Sequence, residues 1–90
     1  MASAPTSIAS RIAWCRRQST QARAPSELAE WHAEADGLRD ALLQRDHTHQ
    51  YQQRQPHVFE RYVLGLQDGR TLLRTAAVAA QIPLPAHRHG

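Results

Sequence analysis

Two stretches of this chain place apolar residues alternately three and four positions apart, which is the spacing of one face of an α-helix. The first stripe consists of Leu28, Trp31, Ala35, Leu38 and Leu42. The second consists of Phe59, Tyr62, Leu66, Gly69, Leu73, Ala76 and Ala80. Because each helix must bury its stripe against another element, the stripes predict an all-α fold built on an antiparallel helical hairpin.

The antiparallel arrangement predicts which residues meet. If the chain reverses in the loop after the first stripe, Leu42 falls beside Phe59 or Tyr62. Trp31 then falls near Gly69, so that the largest side chain on one stripe faces the smallest on the other. The residues predicted to pack the two helices together are Trp31, Leu38, Leu42, Phe59, Tyr62, Leu66, Gly69 and Leu73.

The N-terminal segment predicts a short third helix. Ser7 is a suitable N-cap, and the apolar residues that follow it lie along one helical face: Ile8, Ile12 and Cys15. Two alternatives remain, a disordered arm and an organellar transit peptide, since the segment is rich in Arg and Ser and lacks acids. Residues 1–6 are expected to be disordered.

Proline and serine residues indicate where the two longer helices begin. Ser26 can cap a helix that runs to about Arg45. Gly37, inside this helix, either weakens its middle or allows a neighbour to approach closely. The Gln- and His-rich segment 46–56 has no apolar pattern and predicts a frayed end and a loop. Pro56 then marks the start of the next helix.

The second stripe has an alternative interpretation. Asp68 and Gly69, placed between two apolar runs, are typical of a β-hairpin, which would give an α+β fold with a hairpin at 60–74. The helical pattern is longer and ends in an alanine-rich stretch that favours helix. We therefore predict a single helical domain over residues 7–82, followed by a flexible tail at 83–90.

The composition of the chain bears on its origin and location. All eleven Lys and Arg residues are Arg, and Asn is absent. Lys and Asn have AT-rich codons, so this bias is typical of a GC-rich bacterial, phage or mobile-element genome. The single cysteine excludes an intramolecular disulfide, and no apolar run approaches the roughly 20 residues of a membrane span. We expect a soluble protein in the cytoplasm of a bacterium or a phage-infected host cell.

Groups that could carry out chemistry are few. The histidines that could bind a metal lie near Asp46 or close to the C-terminus: His47, His49, His57, His87 and His89. They fall in predicted loop and tail, which do not provide the fixed geometry that a metal site requires. Cys15 has no identifiable base nearby, which is typical of a structural cysteine rather than a nucleophile. The sequence therefore predicts neither an enzyme nor a bound metal or cofactor.

Charge is segregated along the chain. The first 25 residues contain four arginines and no acid, whereas residues 26–46 contain six acids and two arginines. Such segregation can steer and orient the encounter with a partner. We therefore expect a small protein–protein interaction module, such as a phage or mobile-element inhibitor or adaptor of a larger protein. Its predicted acidic contact consists of Glu30, Glu34 and Asp40, and its predicted basic contact of Arg11, Arg16 and Arg17.

Two other associations remain open. With a formal net charge of +3, the chain could be a small nucleic-acid-binding accessory protein whose N-terminal arginines contact phosphate and whose Trp14 stacks on bases. Self-association is the second, because a helical domain of this size has a small core that a dimeric four-helix bundle would enlarge. A membrane partner is not expected.

Overall fold

The computed structural model of the protein describes residues 7–81, and these form four α-helices without a strand. They are α1 (Ile8–Thr20), α2 (Pro25–Leu43), α3 (Thr48–Tyr51) and α4 (Pro56–Gln81). The all-α class and the third N-terminal helix are confirmed. The alternative β-hairpin does not form, because residues 60–74 lie within α4. The expectations for residues 1–6 and for the tail at 83–90 lie outside the described residues.

Two of the three predicted helix starts are confirmed. The Ser7 side chain caps α1 by accepting a hydrogen bond from the Ser10 backbone N–H at 3.1 Å, and α4 begins at Pro56. The prediction that Ser26 caps α2 is wrong. That helix begins at Pro25, whose fixed φ suits the first helical position, and the cap residue before it makes no side-chain hydrogen bond.

The second helix ends earlier than predicted and is followed by a turn of helix that the sequence did not indicate. Gln44 adopts a left-handed conformation with φ 58°, which stops α2 at Leu43 instead of Arg45. The Asp46 carboxylate then accepts the Thr48 backbone N–H at 2.8 Å, at the start of α3. Hydrogen bonds from Thr48 hold the pKa of Asp46 below its usual range.

The antiparallel hairpin in the molecule is formed by α1 and α2, and the prediction that α2 pairs in this way with α4 is wrong. Contacts between α2 and α4 advance in the same direction along both helices. In order along the chain, the contacting pairs are Glu30 with His57, Glu34 with Arg61, Leu38 with Gly69, and Asp46 with Arg70. The two long helices are therefore parallel, and residues 44–55 cross back along them to the start of α4.

This direction changes the predicted neighbours of the apolar stripes. Trp31 contacts Trp14 and Arg61 instead of Gly69, and Leu42 is 49% exposed rather than packed. The other predicted packing residues do lie in the interior or partly in it. Those that are buried are Leu38, Tyr62, Leu66 and Gly69, and those that are partly buried are Trp31, Phe59 and Leu73.

The core lies on two sides of α2. Between α2 and α4 the buried cluster comprises Ala33, Ala41, Val58, Tyr62 and Leu66. Between α1 and α2 it comprises Ile8, Cys15, Ala35 and Leu38. Because α2 packs against a helix on each side, much more than one stripe of its surface is removed from water. Its small residues allow both neighbours to approach closely.

Candidate interaction surface

Glu34, predicted to lie in an exposed acidic contact, is buried where α1, α2 and α4 meet. Its side chain is only 3% exposed. Arg61 of α4 lies 2.9 Å from one carboxylate oxygen, and Arg11 of α1 donates to the other at 3.2 Å. A carboxylate removed from water is stable only when it is paired and hydrogen-bonded. Glu34 therefore joins the three helices instead of facing solvent.

The other two residues of the predicted acidic contact are also engaged within the molecule. Glu30 bonds His57 Nδ1 at 2.8 Å and remains partly exposed. The Asp40 side chain is 6% exposed and accepts hydrogen bonds from the Tyr62 hydroxyl and His47 Nδ1, each at 2.7 Å. The predicted solvent-facing acidic surface does not form, because the parallel alignment places basic and hydroxyl groups of other segments against these carboxylates.

The remaining acids of the described chain follow the same trend. Carboxylates with an arginine, histidine or both within 4.0 Å are Glu30, Glu34, Asp36, Asp40, Asp46 and Asp68. Only Glu27 and Glu60 have no such cation in the part of the chain that the structure describes, and both are exposed. The negative charge of the protein is thus largely neutralised by internal pairs.

The predicted basic contact divides into one internal residue and two external ones. Arg11 is half-buried and lies between Glu34 and Asp68. Arg16 and Arg17 are exposed, and no carboxylate among the described residues lies within 4.0 Å of either. The uncompensated positive charge on α1 is therefore external.

The outer surface of α1 combines arginine with small and aromatic residues. We define the α1 face by its exposed residues Ala9, Ser10, Ala13, Trp14, Arg16, Arg17 and Thr20, extended by the exposed Arg23 after the helix. Trp14 is 39% exposed and contacts Trp31 edge-to-face, with ring centroids 5.1 Å apart. Arg23 was not among the residues of the basic contact predicted from the sequence. The acid-free composition of the first 25 residues was the signal that could have added it.

The structure describes four histidines and the single cysteine: His32, His47, His49, His57 and Cys15. Within residues 7–81 there is no group of three or more His, Cys, Asp or Glu side chains that could hold a metal ion. His49 is exposed, and His87 and His89 lie outside the described residues. Cys15 is fully buried. Burial, together with the nearby Glu34 carboxylate, raises the pKa of its thiol to about 11, so it is protonated at neutral pH.

An apolar surface lies at the far end of the long helices. Leu42, Leu43 and Val78 are exposed there, and residues 75–80 of α4 are exposed throughout. A shallow cavity of about 460 Å³ is lined by Arg74, Thr75, Val78 and Ala79. None of the helices in the described part of the chain is long and apolar enough to cross a membrane.

No protein-family model matches this chain, and no curated protein or solved structure matches it either.

Proposed function

We propose that the protein is a small, non-enzymatic interaction module that binds an acidic surface of a larger protein through the α1 face. One observation supports this most strongly: most carboxylates have a cationic partner in the same molecule, whereas Arg16, Arg17 and Arg23 are exposed without a carboxylate partner for their guanidinium groups among the described residues and lie together on the α1 face. Arg54 and Arg74 are also exposed without such a partner, but they lie singly before α4 and near its end. An acidic partner would supply the countercharge and would be steered toward this face. Glu30, Glu34 and Asp40 are not part of this proposed contact.

The composition of the α1 face favours a protein partner. Trp and Arg are among the residue types that contribute most to binding energy at protein interfaces. Ala9 and Ala13, which are exposed on the same helix, leave room for a partner backbone to approach. A half-exposed Trp14 beside two arginines thus provides apolar contact area together with charge. The inhibitor or adaptor role, the bacterial or phage origin and the cytoplasmic location remain part of this proposal, and they are supported by size and composition.

Nucleic-acid binding is the second candidate, because the same unpaired arginines could contact phosphates and the sequence pI is near 10.0. With three arginines on the α1 face, the affinity should fall with salt with a logarithmic slope of about −3. A nucleic acid would thus be bound weakly at physiological salt. A protein partner that also uses Trp14 has an additional source of affinity.

Charge reversal on the α1 face tests the proposal. Arg16→Glu with Arg17→Glu should lower affinity for the captured partner on the order of tenfold or more, because like charges then face each other in the interface. The matched control is Arg54→Glu with Arg74→Glu, which makes the same change in net charge at exposed arginines away from the α1 face. The measurement is affinity capture from a bacterial extract, with and without nuclease, followed by titration of the recovered protein.

The two candidate functions give different results in that experiment. Nuclease-resistant capture by the wild type and the control, but not by the α1 variant, supports the protein partner. Capture that disappears with nuclease supports the nucleic acid instead. If the α1 variant binds the recovered protein as tightly as the wild type while its circular dichroism spectrum is unchanged, the α1 face is not the contact.

A further inference from the structure

His47, in the segment that crosses back from α2 to α4, is held at two points by the same pair of buried residues. Its backbone N–H donates to the Tyr62 hydroxyl oxygen at 2.7 Å. Its ring Nδ1 lies 2.7 Å from the Asp40 carboxylate, which also accepts the Tyr62 hydroxyl. Tyr62 is fully buried and Asp40 nearly so. The position and orientation of the imidazole are therefore fixed by the core.

This anchoring leaves the other ring nitrogen of His47 available. With Nδ1–H bonded to a carboxylate, the neutral ring carries its lone pair on Nε2, and the protonated ring carries a second N–H there. Nε2 has no hydrogen-bond partner among the described residues, and the side chain is 42% exposed. If His47 served only to hold residues 44–55 in place, its Nδ1 and its backbone N–H would be sufficient for that role.

The exposed side of the ring borders a cleft of about 300 Å³ between α2 and the crossover. Its lining residues are Asp36, Arg39, Asp40, Arg45, His47, Gln50 and Tyr51. The cleft therefore contains two guanidinium groups, two carboxylates and the imidazole. The kind of ligand that it can bind depends on which of these groups have donors or acceptors that are not already used in hydrogen bonds.

The carboxylates of the cleft have donors of their own, whereas the guanidinium groups have donors to spare. Asp36 accepts from Arg39 at 3.0 Å and from the Tyr51 hydroxyl at 2.6 Å. Arg39 uses one nitrogen in that bond. Arg45 Nε lies 3.7 Å from Asp40 Oδ1, which makes an ion pair without a hydrogen bond, and Oδ1 is the one carboxylate oxygen of the cleft that accepts no hydrogen bond among the described residues. Since an arginine carries five N–H donors, the unused groups of the cleft are mainly donors.

We infer that this cleft binds a small tetrahedral oxyanion, either free phosphate or a phosphate monoester. Arg39 and Arg45 donate to its oxygens, and Nε2 of His47 makes a third hydrogen bond, as a donor to an oxygen or as the acceptor of a phosphate O–H. Guanidinium groups suit such oxygens because their N–H donors have a fixed planar geometry. This site is separate from the α1 face and does not depend on the proposed function.

Titration of the isotope-labelled full chain with inorganic phosphate, at ionic strength held constant with chloride, tests the site by NMR. Arg45→Gln removes one charged donor. His47→Asn keeps an amide where Nδ1 contacts Asp40 but removes Nε2. We expect saturable shifts confined to the cleft, and an affinity weakened on the order of tenfold in each variant, as the loss of a charge-assisted hydrogen bond produces. The control, Arg74→Gln, changes an exposed arginine outside both the cleft and the α1 face, and it should bind phosphate as the wild type does.

Three results would overturn the inference: shifts that rise linearly without saturation, wild-type affinity in Arg45→Gln, or an equal loss in the Arg74→Gln control. Phosphoserine serves as a second probe. Tighter binding of phosphoserine than of inorganic phosphate would assign the cleft to a phosphorylated side chain, and the reverse order would assign it to the free ion.

Discussion

Gly37→Ala is expected to destabilise the protein by about 2–4 kcal/mol, although alanine is the better helix former. A Cβ added at Gly37 would lie 2.5 Å from the backbone nitrogen of Leu66 and 2.9 Å from the carbonyl carbon of Gly65. These neighbours are backbone atoms, so the clash is relieved only if α2 and α4 move apart. Chemical denaturation monitored by circular dichroism measures the change in free energy of unfolding.

The control for this variant is Gln67→Ala at an exposed position of α4. It should change the free energy of unfolding by less than about 0.5 kcal/mol, as surface substitutions usually do. An unchanged or raised stability of Gly37→Ala would be the result of helix propensity alone. It would contradict the close contact of the two helices at this point. It would also contradict the interpretation that Gly37 allows a neighbouring helix to approach closely.

Glu34→Gln is expected to destabilise the protein by about 2–4 kcal/mol. This is somewhat less than the roughly 3–5 kcal/mol that is lost when a fully buried ion pair is broken. The amide keeps the shape of the side chain but removes its charge. It also presents an N–H₂ group to one of the two arginines that now donate to the carboxylate, so donors face each other. Arg11 and Arg61 both reach solvent, which moderates the loss.

The matched control is Glu60→Gln, an exposed glutamate without a cation within 4.0 Å in the described residues. Its expected effect is within about 0.5 kcal/mol of zero. Urea denaturation of both variants gives the comparison. Equal stabilities of the two variants would mean that Glu34 does not hold the three helices together, and the exposed acidic contact predicted from the sequence would have to be considered again.

The apolar pattern was sufficient to predict α1, α2 and α4 but not α3 or the relative directions of the long helices. Apolar spacing identified both long helices, and Ser7 and Pro56 marked two of the starts. A stripe shows which side of a helix is buried, but it reads the same in either direction along the axis. The segment after Leu43 is long enough either to reverse the chain directly or to return along α2 before α4 begins. The pattern alone therefore could not distinguish antiparallel from parallel packing.

The burial of the acids could have been inferred from a second pattern. Glu30 and Glu34 are four residues apart, and so are their partners His57 and Arg61. Two acids and two basic residues with equal helical spacing can pair along adjacent helices, which would place these acids against α4, although the spacing matches in either direction. The sequence analysis considered only one buried stripe on α2, whereas α1 and α4 pack on different sides of it. Residues opposite the stripe were therefore assigned to solvent.

The positions of the arginines were only partly predictable. Arg16 and Arg17 lie at the surface as expected. Arg11 turns inward because Glu34 is buried within its reach, and this contact joins residues far apart in the chain. The candidate surface therefore depends on the fold: a different helix direction would change which charges remain unpaired.

The parallel alignment of α2 and α4 underlies the whole interpretation, because it pairs Glu30 and Glu34 with groups of α4 while Arg16 and Arg17 of α1 have no carboxylate partner among the described residues. Nuclear Overhauser contacts of the wild-type protein test it directly. Since a Cβ at Gly69 would lie 2.6 Å from the Ala41 methyl carbon, we expect a strong contact between the Gly69 α-protons and the Ala41 methyl group. Contacts from Gly69 to the indole of Trp31, with none to Ala41, would instead require the antiparallel arrangement and contradict the parallel alignment.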